Sequence, residues 1–403
     1  MTCNNCRISC TRFAALGILA GVLICVTPVL SVRAAGEQEY KQGIELYKKN
    51  ERANAYAKWK QAATLGHVRA MFYMGNGYHR GDGLKQDFVQ AATWYRKAAA
   101  GGDSDAMSGL GVLYQTGQGV KKDHTQALDW YRQAAGRGNT NAMYNIGLMY
   151  FQGSGVTKDY EKTLKWYKQA AAKGHANAMF GIGALHANGL GVSKDTAKAF
   201  DWARKAAEAG HPKAPYNVAW HYLSGTGVDR DDKKALAWLQ KSAKAGDIRA
   251  VRELGYTLYD GRGVERDLEA ALRFFRKTQK FKPDAFIAMR IWLCLQQLGK
   301  AREAGILLEQ FERKNKPKGW QANLLQFLAG KITEAKLLES AQSDDAQKQS
   351  GQLCEAHFFV GSVKLIGGDK AAAITHFEKC IATDRTEFAE YRSANAELSR
   401  LKK

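Results

Sequence analysis

The side chains best placed for chemistry are Cys354 and Cys380, each 13 residues from Gly367. If that glycine turns an antiparallel helix pair, the two sulfurs meet across it, within reach of a disulfide in an oxidising compartment. Two small buried residues would satisfy the same spacing. Cys294, mid-segment among leucines, reads as core. Cys3-x-x-Cys6 has zinc or redox spacing but precedes an apolar stretch, where nothing can fold around a metal. Ser399-Arg400-Leu401-Lys402 matches the Ser-x-x-Lys pattern of acylating enzymes, yet it ends the chain, where helices fray and no pocket is expected. No P-loop, dinucleotide fingerprint, His-Glu-x-x-His or Gly-x-Ser-x-Gly occurs. Catalytic residues, cofactors and metals are therefore not expected.

The histidines point the same way. His67, His175 and His211 occupy one periodic position that Asp103, Asn139 and Asp247 fill elsewhere. That mixture suits the start of a helix, where a side chain accepts from free backbone N–H groups, rather than a ligand set. His186 stands in a column otherwise rich in tyrosine and reads as packed core.

The elements that position these residues follow from a 36-residue period. Ala70, Ala106, Ala142, Ala178, Ala214 and Ala250 recur at that step, as do Trp94, Trp130, Trp166, Trp202 and Trp238, with Phe274 in sixth place. So do Gly102 to Gly246 and the pairs from Gly81/Gly83 to Gly261/Gly263. Each unit predicts two helices. The first carries Ala70, Met74, Gly75 and Tyr78 on one face, and Gly75 costs roughly 1 kcal/mol in a helix unless a partner needs the space. The Gly-x-Gly loop turns the chain through left-handed conformations. Asp87, Asp123, Asp159, Asp195, Asp231 and Asp267 then cap a second helix that buries Ala91, Trp94, Tyr95, Ala98 and Ala99, with the Trp filling the space between small residues.

These residues closely resemble the Sel-one-like repeat, a branch of the tetratricopeptide superfamily. The stretch 106–138, AMSGLGVLYQTGQGVKKDHTQALDWYRQAAGRG, is very near that family's pattern. The resemblance implies an all-α, right-handed α-solenoid of stacked helix-turn-helix repeats. Six units span 68–282, preceded by an atypical hairpin at 35–67 and followed by tetratricopeptide-like hairpins at 283–341, a polar linker at 342–351, and a last hairpin with an end helix at 352–403. Some such proteins have been labelled β-lactamases, but those carry a disulfide in every repeat, and the repeats here contain no Cys.

The composition agrees with a helical array punctuated by turns: 40 Gly, 5 Pro and 45% hydrophobic residues in 403. Formal charge is +21, from 60 Lys+Arg against 39 Asp+Glu. The basic residues are spread along the chain without a recognition motif, so an acidic protein, anionic glycan or membrane surface fits better than nucleic acid. Arg7 and Arg12, an apolar run to Leu30 and Val32-Arg33-Ala34 form an export leader at 1–34, or an uncleaved inner-membrane anchor.

By analogy with tetratricopeptide geometry, the groove would present Phe72, Tyr144, Phe180, Tyr216, Trp220 and Tyr256 to an extended peptide, unless those rings pack between units. Arg96, Arg132, Lys168, Arg204 and Arg276, joined by Lys97, Lys205, Lys241 and Lys277, form a basic ladder for an anionic surface or simply a solvated face. The reading is a non-catalytic scaffold or adaptor of the bacterial periplasm or cell envelope, holding one or more envelope proteins. The alternatives are a secreted, host-interacting virulence factor and a cell-wall (peptidoglycan or β-lactam) enzyme or glycan-binding subunit.

Overall fold

The computed structural model describes residues 32–402, so most of the proposed leader at 1–34 lies outside the described residues. Every regular element among them is a helix, and they form two compact units divided between Lys194 and Asp195. No described helix is long and apolar enough to cross a membrane.

The first unit contains α1 (32–48), α2 (Arg52–Thr64), α3 (Val68–Arg80), α4 (Phe88–Ala100), α5 (Ser104–Thr116), α6 (His124–Gly136), α7 (Thr140–Gln152), α8 (Tyr160–Ala172) and α9 (Ala176–Asn188). Helices α3, α5, α7 and α9 all end at a glycine in the left-handed conformation. The second glycine of each turn answers a different demand. A Cβ on Gly119 would fall 2.3 Å from the carbonyl of Phe88, so the turn rests directly on the first residue of α4. Asp87, Asp123 and Asp159 accept from the first free N–H groups of α4, α6 and α8.

The periodic helix glycines seat a ring, though not the one expected. A Cβ on Gly75 or Gly111 would stand 2.4 Å from the ring of Tyr95 or Tyr131, and on Gly147, 2.6 Å from Tyr167. The residue after each Trp fills the space, while Trp94, Trp130 and Trp166 are only half-buried. The reason is angular: one residue is about 100° around a helix, and only the Tyr points at the first helix of its own hairpin. Lys97 instead covers the Trp94 ring, its Nζ 4.5 Å from the centroid.

The second unit contains α10 (Thr196–Glu208), α11 (Ala214–Ser224), α12 (Asp232–Lys244), α13 (Ile248–Asp260), α14 (Leu268–Phe281), α15 (Ala285–Gln297), α16 (Ala301–Asn315), α17 (Trp320–Leu328), α18 (Glu334–Ser340), α19 (Ala346–Ile366), α20 (Lys370–Ala382) and α21 (Ala389–Leu401). Where Ala219 replaces the helix glycine, Leu239 replaces the facing ring, and both are fully buried in one cluster. One added methyl on α11 is matched by a smaller partner on α12.

From α13 onward the core becomes continuous, joining Tyr259, Phe275, Trp292, Leu308, Leu325, Phe358 and Phe377 in one cluster. The polar linker expected at 342–351 is largely not a linker. Asp345 caps α19 by accepting from Gln347 and Lys348, and helix runs on from Ala346. Ser350 donates to the carbonyl of Thr383, and Gly351 is buried beside Phe388. The polar side chains hid a helix start because its contacts lie some thirty residues downstream. The end helix packs instead of fraying: α21 lies against α13, α19 and α20.

Candidate functional site

In the second unit, α11, α13, the turn after α13 and the returning α21 enclose a cleft of about 1100 Å³. Tyr216, Trp220 and Leu223 line one side, and Tyr391, Arg392 and Asn395 the other. Two sequence-predicted groove residues, Tyr216 and Trp220, therefore reach it. Trp220 is the more available, 47% exposed and edge-on to His221 at 5.3 Å. Tyr216 is covered by the Arg249 guanidinium, 4.3 Å above its ring.

Charged residues form the floor. Arg262 pairs with Glu253 at 3.0 Å and Asp260 at 3.2 Å. The Ser393 hydroxyl donates to Asp260 Oδ1 at 2.6 Å and accepts from Arg290 Nη1 at 3.1 Å, while Arg290 Nη2 donates to Glu390 at 2.8 Å. Arg266 and Arg400 converge on Glu397 at 3.0 and 2.8 Å, and Arg400 Nη1 donates to the Asp260 carbonyl at 2.8 Å. Burial raises the Asp260 pKa against the opposing pull of Arg262 and Arg290. Burial works against the charge on Arg290, yet Glu390 and the tyrosines around it hold its pKa above the ordinary value. These ion pairs fix α21 against α13, so the far wall of the cleft belongs to the rigid frame.

The remaining groove candidates lie elsewhere. Tyr256 is buried, edge-on to Phe275 at 5.2 Å and 5.1 Å from the Arg290 guanidinium, because the elements after α14 cover the face it was expected to present. In the first unit Phe72 is half-buried beneath Arg69, and Tyr144 stacks between Tyr167 at 5.2 Å and His175 at 5.0 Å. Phe180 is half-buried as well. The rings of the first unit serve packing.

The basic ladder is exposed except at Arg204, which is half-buried, and several members are engaged. Arg132 pairs with Asp129 at 3.7 Å, Arg204 with Glu208 at 3.0 Å, and Arg276 with Glu303. Arg96 donates to the Tyr114 hydroxyl at 3.3 Å, and Lys168 is simply exposed. Lys205 and Lys241 sit over Trp202 and Trp238 at 4.6 and 4.8 Å.

Histidine geometry explains its periodic position. His67 Nδ1 accepts from the Ala70 N–H at 3.1 Å, and His175 Nδ1 from Ala178 at 3.2 Å. An accepting Nδ1 leaves the ring proton on Nε2, which faces Glu37 in one case and Asn141 in the other. The position caps a helix and ties it to the first helix of the preceding hairpin. His186 is buried.

Cys354 and Cys380 are free thiols with sulfurs 3.4 Å apart, and Cys294 is buried apart from them. Ser399, expected to have no pocket, lies on the cleft wall. Its hydroxyl donates to the Asn395 carbonyl, and Lys402 pairs with Glu378 at 2.9 Å, so neither group activates the other.

The α21 wall was not legible in the sequence, because its charged residues, Glu390, Arg392, Glu397 and Arg400, follow no period and find most of their partners far along the chain.

Comparison with known proteins accords with this architecture. The Sel1 repeat family matches residues 68–103, 104–139, 140–175, 176–211, 212–247 and 248–278. A Sel1 repeat protein from Oxalobacter formigenes is similar at 32% identity, over 60% of this chain and 100% of that chain, with a TM-score of 0.56. The fold also resembles c5321, a protective antigen of uropathogenic Escherichia coli strains displaying an SLR fold, at 24% identity, over 90% of this chain and 88% of that one, with a TM-score of 0.61. Repeats of this kind build protein-interaction scaffolds and are generally non-catalytic. By its six matched repeats, over half of its length, this chain belongs to the Sel1 repeat family.

Proposed function

We propose that the protein is a non-catalytic adaptor of the bacterial periplasm or cell envelope, and that it holds a partner protein in the cleft of its second unit. One observation carries the binding assignment: a rigidly framed cleft of about 1100 Å³ with Trp220 exposed in its wall. Large exposed aromatics in concave sites are typical anchors of protein recognition. Support for the compartment comes from the leader-like residues ahead of Ala35.

Affinity capture from an envelope extract tests both parts. The expected result is one resident envelope protein, lost when Tyr216→Ala and Trp220→Ala are combined. Retention of that protein by the double variant overturns the cleft assignment. Capture of host proteins alone would favour the virulence-factor reading. Salt-sensitive binding to purified peptidoglycan would favour the glycan-binding one, and hydrolysis of a β-lactam or glycan by pure protein would overturn the adaptor reading.

A further inference from the structure

Three carboxylates lie deep in the cleft: Asp260, Glu397 and Glu253 side chains are 1%, 4% and 12% exposed. The guanidiniums lie in front, with Arg230, Arg392 and Arg400 at 59%, 34% and 31%. Arg252 is exposed on the α13 side and forms no ion pair among the described residues. Arg392 reaches Glu253 only at 3.7 Å, and its buried Nε has no acceptor. Glu265 and Glu387 also line the cleft, and Glu387 is engaged by Arg385 at 2.8 Å. Glu265 is exposed and the Glu387 side chain is 55% exposed, so arginine outnumbers carboxylate at the accessible surface without excluding it, and the total charge is nearly balanced.

We propose that this cleft selects an extended, acidic segment of the partner protein, seating an aromatic side chain on Trp220 and carboxylates on Arg252 and Arg392. The assignment rests on the protein-binding reading above. Guanidinium forks match carboxylates two hydrogen bonds at a time, and a concave site strengthens those bonds. Arg252 has donors to spare and Arg392 makes only long contacts, to Glu253 at 3.7 Å and to the Glu387 carbonyl at 3.3 Å, whereas Arg262, Arg290 and Arg400 are spent on the frame. A polyphosphate chain gains less, because its dense charge also meets the carboxylates beneath the arginines.

The test uses the full chain and a fluorescein-labelled decapeptide of alternating Glu and Tyr, read by anisotropy. Controls are the matching Lys–Tyr peptide and an oligothymidylate of similar length. The Glu–Tyr peptide is expected to bind, to weaken with added salt, and to lose about tenfold in affinity with Arg252→Glu plus Arg392→Glu or with Trp220→Ala. Lys168→Glu, in the other unit, should leave binding unchanged. Thermal unfolding of each variant confirms that it is folded. Equal binding of the Lys–Tyr peptide, tighter binding of the oligothymidylate, or indifference to the arginine reversals overturns the proposal. Failure of the Glu–Tyr peptide to bind, while the captured partner still depends on Trp220, overturns the acidic class and leaves the cleft reading standing.

Discussion

Cys354 Sγ lies 3.4 Å from Cys380 Sγ, and both residues are fully buried where α19 faces α20. The hydrogen bond between them lowers the pKa of the Cys354 thiol and raises that of Cys380. In a chain refolding with oxidised glutathione, one of the two thiolates would attack the glutathione disulfide and release one glutathione thiolate. The other, deprotonated, would then displace the second glutathione and form the intramolecular bond. Peptide mapping should recover a linked Cys354–Cys380 pair, with Tm raised on the order of 5 °C. Cys294, whose thiol burial pushes up to about 12, should stay reduced. Cys354→Ser with Cys380→Ser should erase the redox dependence. An oxidised, folded sample containing both free thiols would refute the pairing.

Two glycine substitutions should move stability in opposite directions. Gly75→Ala drives a methyl into the Tyr95 ring and should cost about 1–3 kcal/mol. Gly305→Ala lies inside α16 with nothing within 4 Å, and should gain about 0.5–1 kcal/mol from helix propensity and a stiffer unfolded chain. Urea titration gives both values. A neutral Gly75→Ala would mean that the ring contact does not set hairpin spacing.

Arg290 and Glu390 are both buried and join α15 to α21 across 100 residues of sequence. Replacing Arg290 with Met strands a buried carboxylate and should cost about 3–5 kcal/mol. Adding Glu390→Gln removes that stranded charge and should recover part of the loss. If the two costs simply add, the residues are not energetically coupled.

The pH dependence should carry a signature of Glu355. Burial, and then the nearby Glu390, raise its carboxyl to about 8, while the Trp320 indole N–H donates to it at 2.5 Å. Its folded pKa is above the unfolded value of about 4.3, so the stability it contributes is present at low pH and fades as pH rises to about 8. His357 acts in the opposite sense. Burial, then His376 at 3.0 Å and Lys379, lower its pKa to about 4, so its contribution is complete above about 6.5 and is lost as pH falls toward 4. Between pH 6.5 and 8 the His357 contribution is flat, and wild-type Tm should decline more steeply than that of Glu355→Gln. Parallel Tm curves over that interval would contradict the raised pKa.

Much of the fold was legible before any coordinate. The 36-residue columns placed the repeat helices, the Asp column capped them, and the position shared by His67, Asp103 and Asn139 proved to be a second cap. The spacing about Gly367 brought Cys354 to Cys380. All of these are local or nearest-neighbour relations, which repetition exposes because every unit meets the same demand. Two readings failed: Tyr95 took the place given to its neighbour Trp94, about 100° away around the helix, and the polar stretch before Gly351 became the first turns of α19, whose contacts lie some thirty residues downstream.

What the sequence by itself determined, then, is a stack of capped two-helix units with small residues where rings must enter. Tertiary structure alone decided which aromatics remain available, exposing Trp220 while the elements after α14 bury Tyr256. It also made the cleft, by returning α21 to α13 through contacts such as Arg266 to Glu397, 131 residues apart. No period announces that return. It occurs once, and it depends on buried charges finding partners far along the chain, because unpaired they could not be buried at all.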